Sequence, residues 1–253
     1  MEKQEQLVTK RFHDLANAAY HRGIATFSDF LTLNEIDALK GMKKDISFVT
    51  VILNGGYEAA ERQIAAFVPE TYYEVQMDYP ISILKITPLN SKFAEKLNHR
   101  DFLGAVLNLG IDRSKIGDIL VKEHCAYCFA HSSMADFLKT ELTRIKHTPV
   151  KIEVVSEAED IQPEFQHIEG SVSSERMDTI LALAFSGSRS ALSGLVAAEK
   201  VFLNGKLCFS NSQLLKPGDI VSVRGYGKFI FEEVLSMTKK ERYYVLIKTY
   251  GNI

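Results

Sequence analysis

The stretch that decides the fold is Ser173-Ser174-Glu175-Arg176-Met177-Asp178-Thr179-Ile180-Leu181-Ala182-Leu183-Ala184-Phe185-Ser186-Gly187-Ser188-Arg189-Ser190, together with Lys200-Val201-Phe202-Leu203-Asn204-Gly205-Lys206 and Lys216-Pro217-Gly218-Asp219-Ile220-Val221-Ser222-Val223-Arg224-Gly225 downstream. Met177, Ile180, Leu181 and Ala184 recur at helical spacing, with Ser173 or Ser174 available as a cap. Gly187 is expected to end that helix, and Ser188 to cap a second one carrying Leu192, Leu195 and Val196. Asn204-Gly205 is a two-residue hairpin signal, and Lys216-Pro217-Gly218-Asp219 has type II turn chemistry. Arg176 and Arg189 fall in first helical turns, where the helix dipole opposes a cation unless an anion joins it. The pattern therefore predicts a small two-helix and sheet domain that offers cations and backbone N–H groups to phosphates.

Those residues, in that order and spacing, resemble the α-L RNA-binding domain, named after the fourth protein of the small ribosomal subunit. The matching motifs are Arg176-Met177-Asp178, Ser188-Arg189-Ser190, Val201-Phe202-Leu203-Asn204-Gly205 and Pro217-Gly218-Asp219. Glu199 departs from the pattern, which usually has Gly there. The extension Val223-Arg224-Gly225-Tyr226-Gly227-Lys228-Phe229 is similar to the bacterial YlmH family, whose genes usually lie in a cell-division cluster. So are His99-Arg100-Asp101-Phe102-Leu103-Gly104-Ala105, Gly110-Ile111-Asp112-Arg113 and Ile116-Gly117-Asp118-Ile119-Leu120-Val121.

Working outward, 253 residues suit two or three domains. Residues 170–253 hold 11 Lys+Arg against 7 Asp+Glu, a net +4, while the preceding residues hold 19 against 25, a net −6. A basic module on an acidic remainder fits selective RNA contact better than non-specific coating. No run approaches the about 18 apolar residues of a membrane span, so no membrane insertion is expected. The polar start Met1-Glu2-Lys3-Gln4-Glu5-Gln6 lacks a signal peptide's apolar core, and three cysteines make no disulfide framework; the expected location is cytoplasmic.

The fold class expected is α+β or α/β multidomain. Residues 1–45 read as a small helical N-terminal unit, with helices over Leu7 to Tyr20 and from the capping box Thr32-x-x-Glu35 to about Lys43. Residues 46–155 read as a central α/β domain of RRM-like or ferredoxin-like order. Its strands are expected at Ser47 to Leu53, Val75 to Met77, Ile81 to Thr87, Ile119 to Val121, Tyr127 to Ala130 and Val150 to Val155. Its helices are expected at Tyr57 to Val68, Phe102 to Leu109 and Met134 to Ile145. Residues 156–170, acidic with Pro163, read as a linker, and residues 171–253 as the α-L domain.

No metal site is expected: Cys125 and Cys128 point to opposite faces of a strand and lack a second ligand pair. Asn54-Gly55-Gly56 reads as a turn rather than a cofactor cradle, so no cofactor is expected. No nucleophile elbow, phosphate-loop lysine or zinc-protease motif is present, and Arg176-Met177-Asp178 does not continue as the catalytic motif of pseudouridine synthases. The chain therefore reads as a non-enzyme. The RNA-contact candidates are Arg176, Arg189, Lys200, Lys206, Arg224 and Lys228 for phosphates, with Ser188 and Ser190 as neutral donors. Tyr226 and Phe229 are candidates for base stacking or for the core, and Arg100 and Arg113 are further contacts in the central domain. The resemblance implies ribosomal RNA on the large ribosomal subunit as partner, tRNA as a further candidate, and a role in translation quality control on stalled ribosomes. The competing readings are a cell-division accessory protein acting through protein partners and, more remotely, an RNA-modifying enzyme.

Overall fold

The chain begins with α1 (Glu2–Arg22), whose Phe12, Ala16 and Ala19 form a fully buried stripe at helical spacing. In the computed structural model, residues 2–71, 77–90, 94–156, 165–238 and 241–250 are described. They form two compact units, 1–162 and 163–253.

In the first unit, β1 (Thr26–Leu31), α2 (Leu33–Gly41), β2 (Val49–Asn54) and β3 (Gln63–Pro69) follow α1. The Thr32 side chain accepts from the Glu35 N–H, and Glu35 returns the bond to the Thr32 N–H at 2.7 Å, the expected capping box. The strands make an antiparallel sheet in the order β1-β3-β2. The N-terminal unit is thus not only helical, and its sheet extends to residue 69, past the expected boundary at residue 45. The helix expected over Tyr57 to Val68 is instead a turn over residues 57–62 followed by β3. Ile64, Ala65, Ala66 and Phe67 are all fully buried because β3 is the central strand with both faces covered. A continuous apolar run of that kind does not reveal its period.

The second sheet of this unit follows from β4 (Ile81–Pro88), α3 (His99–Leu107), β5 (Ile116–Val121), β6 (Ala126–His131), α4 (Ala135–Glu141), β7 (Arg144–Ile145) and β8 (Thr148–Val155). Its strand order is β5-β6-β4-β8-β7, antiparallel throughout. The sequence βαββαβ with the first strand between the third and the last is a split βαβ arrangement. Val75 and Gln76 lie outside the described residues and Met77 is irregular. The helix expected to Ile145 stops at Glu141, where Arg144–Ile145 turns into an edge strand. Leu84, Ile86, Ala126, Cys128 and Ile152 face α3 and α4.

The opposite sheet face is covered by the N-terminal sheet. Phe30, Ile64 and Phe129 are buried together, with Tyr57, Ile83, Leu120 and Tyr127 packed around them. The Tyr57 and Phe129 rings lie 4.9 Å apart. Two glycines permit this approach: a Cβ on Gly117 would fall 2.6 Å from the Phe30 ring, and one on Gly56 (φ +92°) would fall 2.6 Å from the Phe129 ring. Polar groups lock the same joint. Asp118 accepts from the Tyr57 hydroxyl at 2.8 Å and from the Glu61 N–H at 2.7 Å, and Arg62 donates to the Ile116 and Phe30 carbonyls, each at 2.9 Å. Asp29 of β1 takes Arg11 at 2.9 Å and Lys115 at 2.6 Å.

In the second unit, β9 (Phe165–Val172), α5 (Met177–Ala184), α6 (Arg189–Ala197), β10 (Val201–Leu203), β11 (Lys206–Leu207), β12 (Asp219–Val223), β13 (Gly227–Met237) and β14 (Tyr243–Tyr250) form one sheet, order β11-β10-β12-β13-β14-β9, with both helices on one face. Residues 165–170 of the expected linker are part of β9, paired along its length with β14, and residues 157–164 lie outside the described residues. The hairpin turn has Asn204 at φ +48° and Gly205 at +79°, as a type I′ turn requires, and Gly218 at +87° closes the type II turn. α5 ends with Ser186, not Gly187, in the left-handed region (φ +49°). Gly187 is needed for space, since a Cβ there would meet Leu192 at 2.8 Å. α6 ends in a Schellman motif, the Lys200 N–H bonding to Leu195 O and the Glu199 N–H to Val196 O. Glu199 holds the left-handed position at φ +55°, which explains why Gly is usual there.

Two predictions follow from these constraints. Glu199→Gly removes the Cβ penalty and is expected to stabilise the second unit by about 0.5–1 kcal/mol, read as a higher urea midpoint with unchanged m-value. For Asp29, burial pushes the carboxyl up, but the bonds from Lys115 and Arg11 outweigh it and hold its pKa below the ordinary value. A depressed folded pKa stabilises above the unfolded value and is lost as pH falls through the folded one. Asp29→Asn should therefore lower stability at pH 7 and shrink the loss of stability below about pH 4, measured by denaturant melts across pH.

Candidate nucleic-acid interface

The first turn of α5 does not hold free N–H groups. The Met177 N–H donates to Gln213 O at 2.8 Å and the Asp178 N–H to Asn211 O at 3.1 Å, so the loop before β12 caps this helix. Neither Ser173 nor Ser174 is the cap; the N-cap residue is Arg176, without a side-chain cap bond. Its guanidinium instead grips Asp178, Nε to Oδ1 at 3.2 Å and Nη2 to Oδ2 at 3.3 Å. The dipole penalty on Arg176 is thus met by an internal carboxylate, so the helix start alone does not call for an external phosphate. Arg176 keeps 39% of its side chain exposed, while Asp178 keeps 9%.

At the other end of α5 the chemistry differs. Phe185 lies 5.6 Å from the Tyr226 ring and 5.8 Å from Phe229. Phe229 is fully buried and belongs to the core, whereas Tyr226 remains 51% exposed. The turn Ser186-Gly187-Ser188 therefore sits beside the β12–β13 turn. Ser188 and Ser190 are exposed with their hydroxyls 3.3 Å apart, and the Ser188 carbonyl accepts the first helical bond from Leu192. Arg189 opens α6; its side chain lies outside the described residues. An eight-residue helix rises about 12 Å, so Arg176 and the start of α6 are separated by the length of α5.

The sheet supplies a second row. Val201, Val221, Val223, Phe229 and Phe231 point to the helices. Phe202, Ser222 and Lys228 are paired in register and share the opposite face. The Arg224 guanidinium lies 4.8 Å from the Phe202 ring centroid, stacked by a cation–π contact, and the Arg224 N–H bonds to Lys200 O at 2.9 Å. Lys200 and Arg224 are both exposed there. Lys206 is also exposed, beyond the Asn204-Gly205 turn and away from the Lys200 end of β10. Phe202 was missed in the sequence; its position between two core residues of β10 marks it as outward-facing.

In the first unit, Arg100 is exposed near the start of α3, and Asp101 pairs with Lys146 rather than with it. The Arg113 guanidinium is committed within the fold. It donates to Ile116 O and to Gly117 O, the latter at 3.2 Å, and burial with the nearby Arg62 charge lowers its pKa to about 10. The strand pattern that placed it in a loop gave no sign that the bulge at Gly117 would face it with carbonyls. Cys128 is buried with its thiol pushed up to about 12, and Cys125 is half-buried off that core. Among the described residues no helix is long and apolar enough to cross a membrane.

Residues 75–159 match a known family model. Its description is "Putative RNA-binding domain in YlmH", and the match spans the split βαβ sheet. Over 202 residues the chain is 29% identical to the ribosome-associated protein quality control protein P2 of Bacillus subtilis (strain 168), covering 78% of this chain and 77% of that protein. Its fold is similar to the solved structure of the cell division protein ylmH from Streptococcus pneumoniae, with a TM-score of 0.52 and 23% identity over 63% of this chain and 95% of that one.

The Arg176–Asp178 pair yields a prediction. Asp178→Ala leaves a guanidinium without its carboxylate and empties a buried site, and should destabilise the second unit by about 1–3 kcal/mol in chemical denaturation.

Proposed function

We propose that the chain is a YlmH-type, non-enzymatic RNA-binding protein that contacts structured RNA and works on the ribosome. The observation that carries this is the meeting of the α5–α6 and β12–β13 turns. It sets exposed Tyr226 on Phe185, where the chain leaves α5 and runs through exposed Ser188 and Ser190 into α6, with Arg224 stacked on Phe202 and its N–H on the Lys200 carbonyl. Aromatic and arginine planes suit unpaired bases, while hydroxyls and lysines suit the backbone. The net +4 of residues 170–253 supplies the long-range attraction.

Two helices followed by this sheet support the α-L assignment of residues 171–253, and the strand order of β4 to β8 supports an RRM-like assignment for the sheet that matches the RNA-binding model. The name of the Bacillus subtilis relative, ribosome-associated protein quality control protein P2, supports ribosome association in protein quality control; ribosomal RNA of the large subunit, with tRNA as a further partner, is our finer reading of the target. The half-buried charged groups Asp118 and Arg62 are committed to structural partners, which favours a binder over a catalyst.

The test is sedimentation of lysate through sucrose gradients at low and high salt, with crosslinked RNA sequenced. Salt-sensitive migration with the large subunit, and reads on its RNA or on tRNA, is the expected result. Migration at the top with no enriched RNA would overturn it. In purified protein, Arg224→Gln with Lys228→Gln should lower the slope of log K against log salt by about 1–2.

A further inference from the structure

The sheet that matches the RNA-binding model has little base-stacking surface left. Phe129, Ile83 and Leu120 are closed off by the N-terminal sheet, and Tyr127 is half-buried with Lys85 over its ring at 5.9 Å. RNA contact by this unit therefore has to come from charge elsewhere on it.

One pole of the unit concentrates that charge. The segment leading into α3 carries Lys96, the first turn of α3 carries His99 and Arg100, and the β7–β8 hairpin carries Arg144, Lys146 and His147, all exposed. These segments are far apart in sequence, and the fold pins them together. Lys146 in the hairpin turn (φ +50°) bonds Asp101 of α3 at 2.7 Å, and the Glu95 N–H donates to Thr148 Oγ1 at 3.2 Å. Beneath them Phe102 and Ile145 share one core. Asp101 is spent on Lys146, and Lys96, Arg100 and Arg144 have no carboxylate partner among the described residues. Glu95 and Glu141 are the exposed acids nearby in sequence. A cationic pole is unexpected on a part of the chain whose net charge is −6.

We infer that the pole formed by the start of α3 and the β7–β8 turn is a second RNA-contact surface, which holds the sugar–phosphate backbone of a structured RNA through Lys96, Arg100 and Arg144. The inference rests on the RNA-binding function proposed above and adds a surface on the first unit. The Asn98 side chain already accepts from the Arg100 and Asp101 N–H groups, so the contact is made by side chains and not by a helix terminus. Arginine forks match phosphate oxygens in pairs, and with no Phe, Tyr or Trp among these six residues the contact is chiefly one of backbone and shape. With a contact on each unit, RNA binding by one raises the effective concentration for the other.

The test uses the full chain and a fluorescein-labelled RNA hairpin, with anisotropy titrations at several salt concentrations. The variants are Lys96→Gln/Arg100→Gln/Arg144→Gln, the C-terminal pair Arg224→Gln/Lys228→Gln, and a charge-matched control, Lys40→Gln/Lys43→Gln/Lys44→Gln, at exposed positions in and after α2. All are exposed or half-exposed positions, so melting curves should coincide with the parent. The pole variant should lose about tenfold or more in affinity and about 2–3 in salt slope, while the control stays within about twofold. A pole variant indistinguishable from the control overturns the inference and leaves the C-terminal reading standing if the C-terminal pair weakens binding. A parent that binds no RNA overturns both. Polyglutamate that displaces the RNA from the parent but not from the pole variant would assign the pole to an acidic protein and also overturn it.

Discussion

The buried joint between the N-terminal sheet and the split βαβ sheet is the constraint on which the first unit depends. Tyr57 against Phe129, Phe30 against Gly117, and the bonds of Asp118 and Arg62 act at one place. The hydrophobic contact is non-directional and would tolerate sliding. The polar bonds are directional, and leaving any of them unmade inside the joint is expensive, so they fix the register of one sheet on the other. Asp118 illustrates the tension. Burial pushes its carboxyl pKa up while the Tyr57 hydroxyl and the Glu61 and Arg62 N–H groups pull it down, and burial prevails. The functional consequence is that an open, aromatic sheet face becomes an internal interface.

The second unit resolves its helix ends differently. The carbonyls of Asn211 and Gln213 close the start of α5, and Asp178 neutralises Arg176. What remains available to a ligand sits at the far end of that helix and on the outer sheet face, where Tyr226 packs on half-buried Phe185 and Arg224 stacks on half-buried Phe202 beside exposed Lys200. An aromatic or guanidinium plane held by Phe185 or Phe202 loses less rotamer freedom on binding than a free side chain does. That pre-organisation distinguishes Arg224 from an ordinary surface arginine.

Much of the local structure was legible. The capping box at Thr32, the Asn204-Gly205 turn, the Pro217-Gly218 turn and the helices α5 and α6 each rest on chemistry between residues a few positions apart. β3 was not legible, because burial on both faces erases the alternation that marks a strand. β1 and β9 were missed because short polar-containing strands acquire their identity from partners distant in sequence. Phe229 looks like an available contact in sequence and is internal in the fold, and the Arg113 guanidinium is taken up by backbone carbonyls, since burial and partners are properties of the neighbours and not of the residue.

By itself, the sequence determined the Asn204-Gly205 and Pro217-Gly218 turns, the Thr32 capping box, the helix faces of α5 and α6, the basic character of the last third and the likeness to RNA-binding modules, since all of these depend on composition or short spacing. The tertiary structure alone decided which cations are committed to carbonyls or carboxylates and which are exposed. It also decided that one sheet closes the face of another, and that the start of α3 meets the β7–β8 hairpin through Lys146–Asp101 and Glu95–Thr148. The physical reason is range: hydrogen-bond and charge partners are set by distances of a few ångströms in space, and for these groups the chain brings together residues separated by tens of positions.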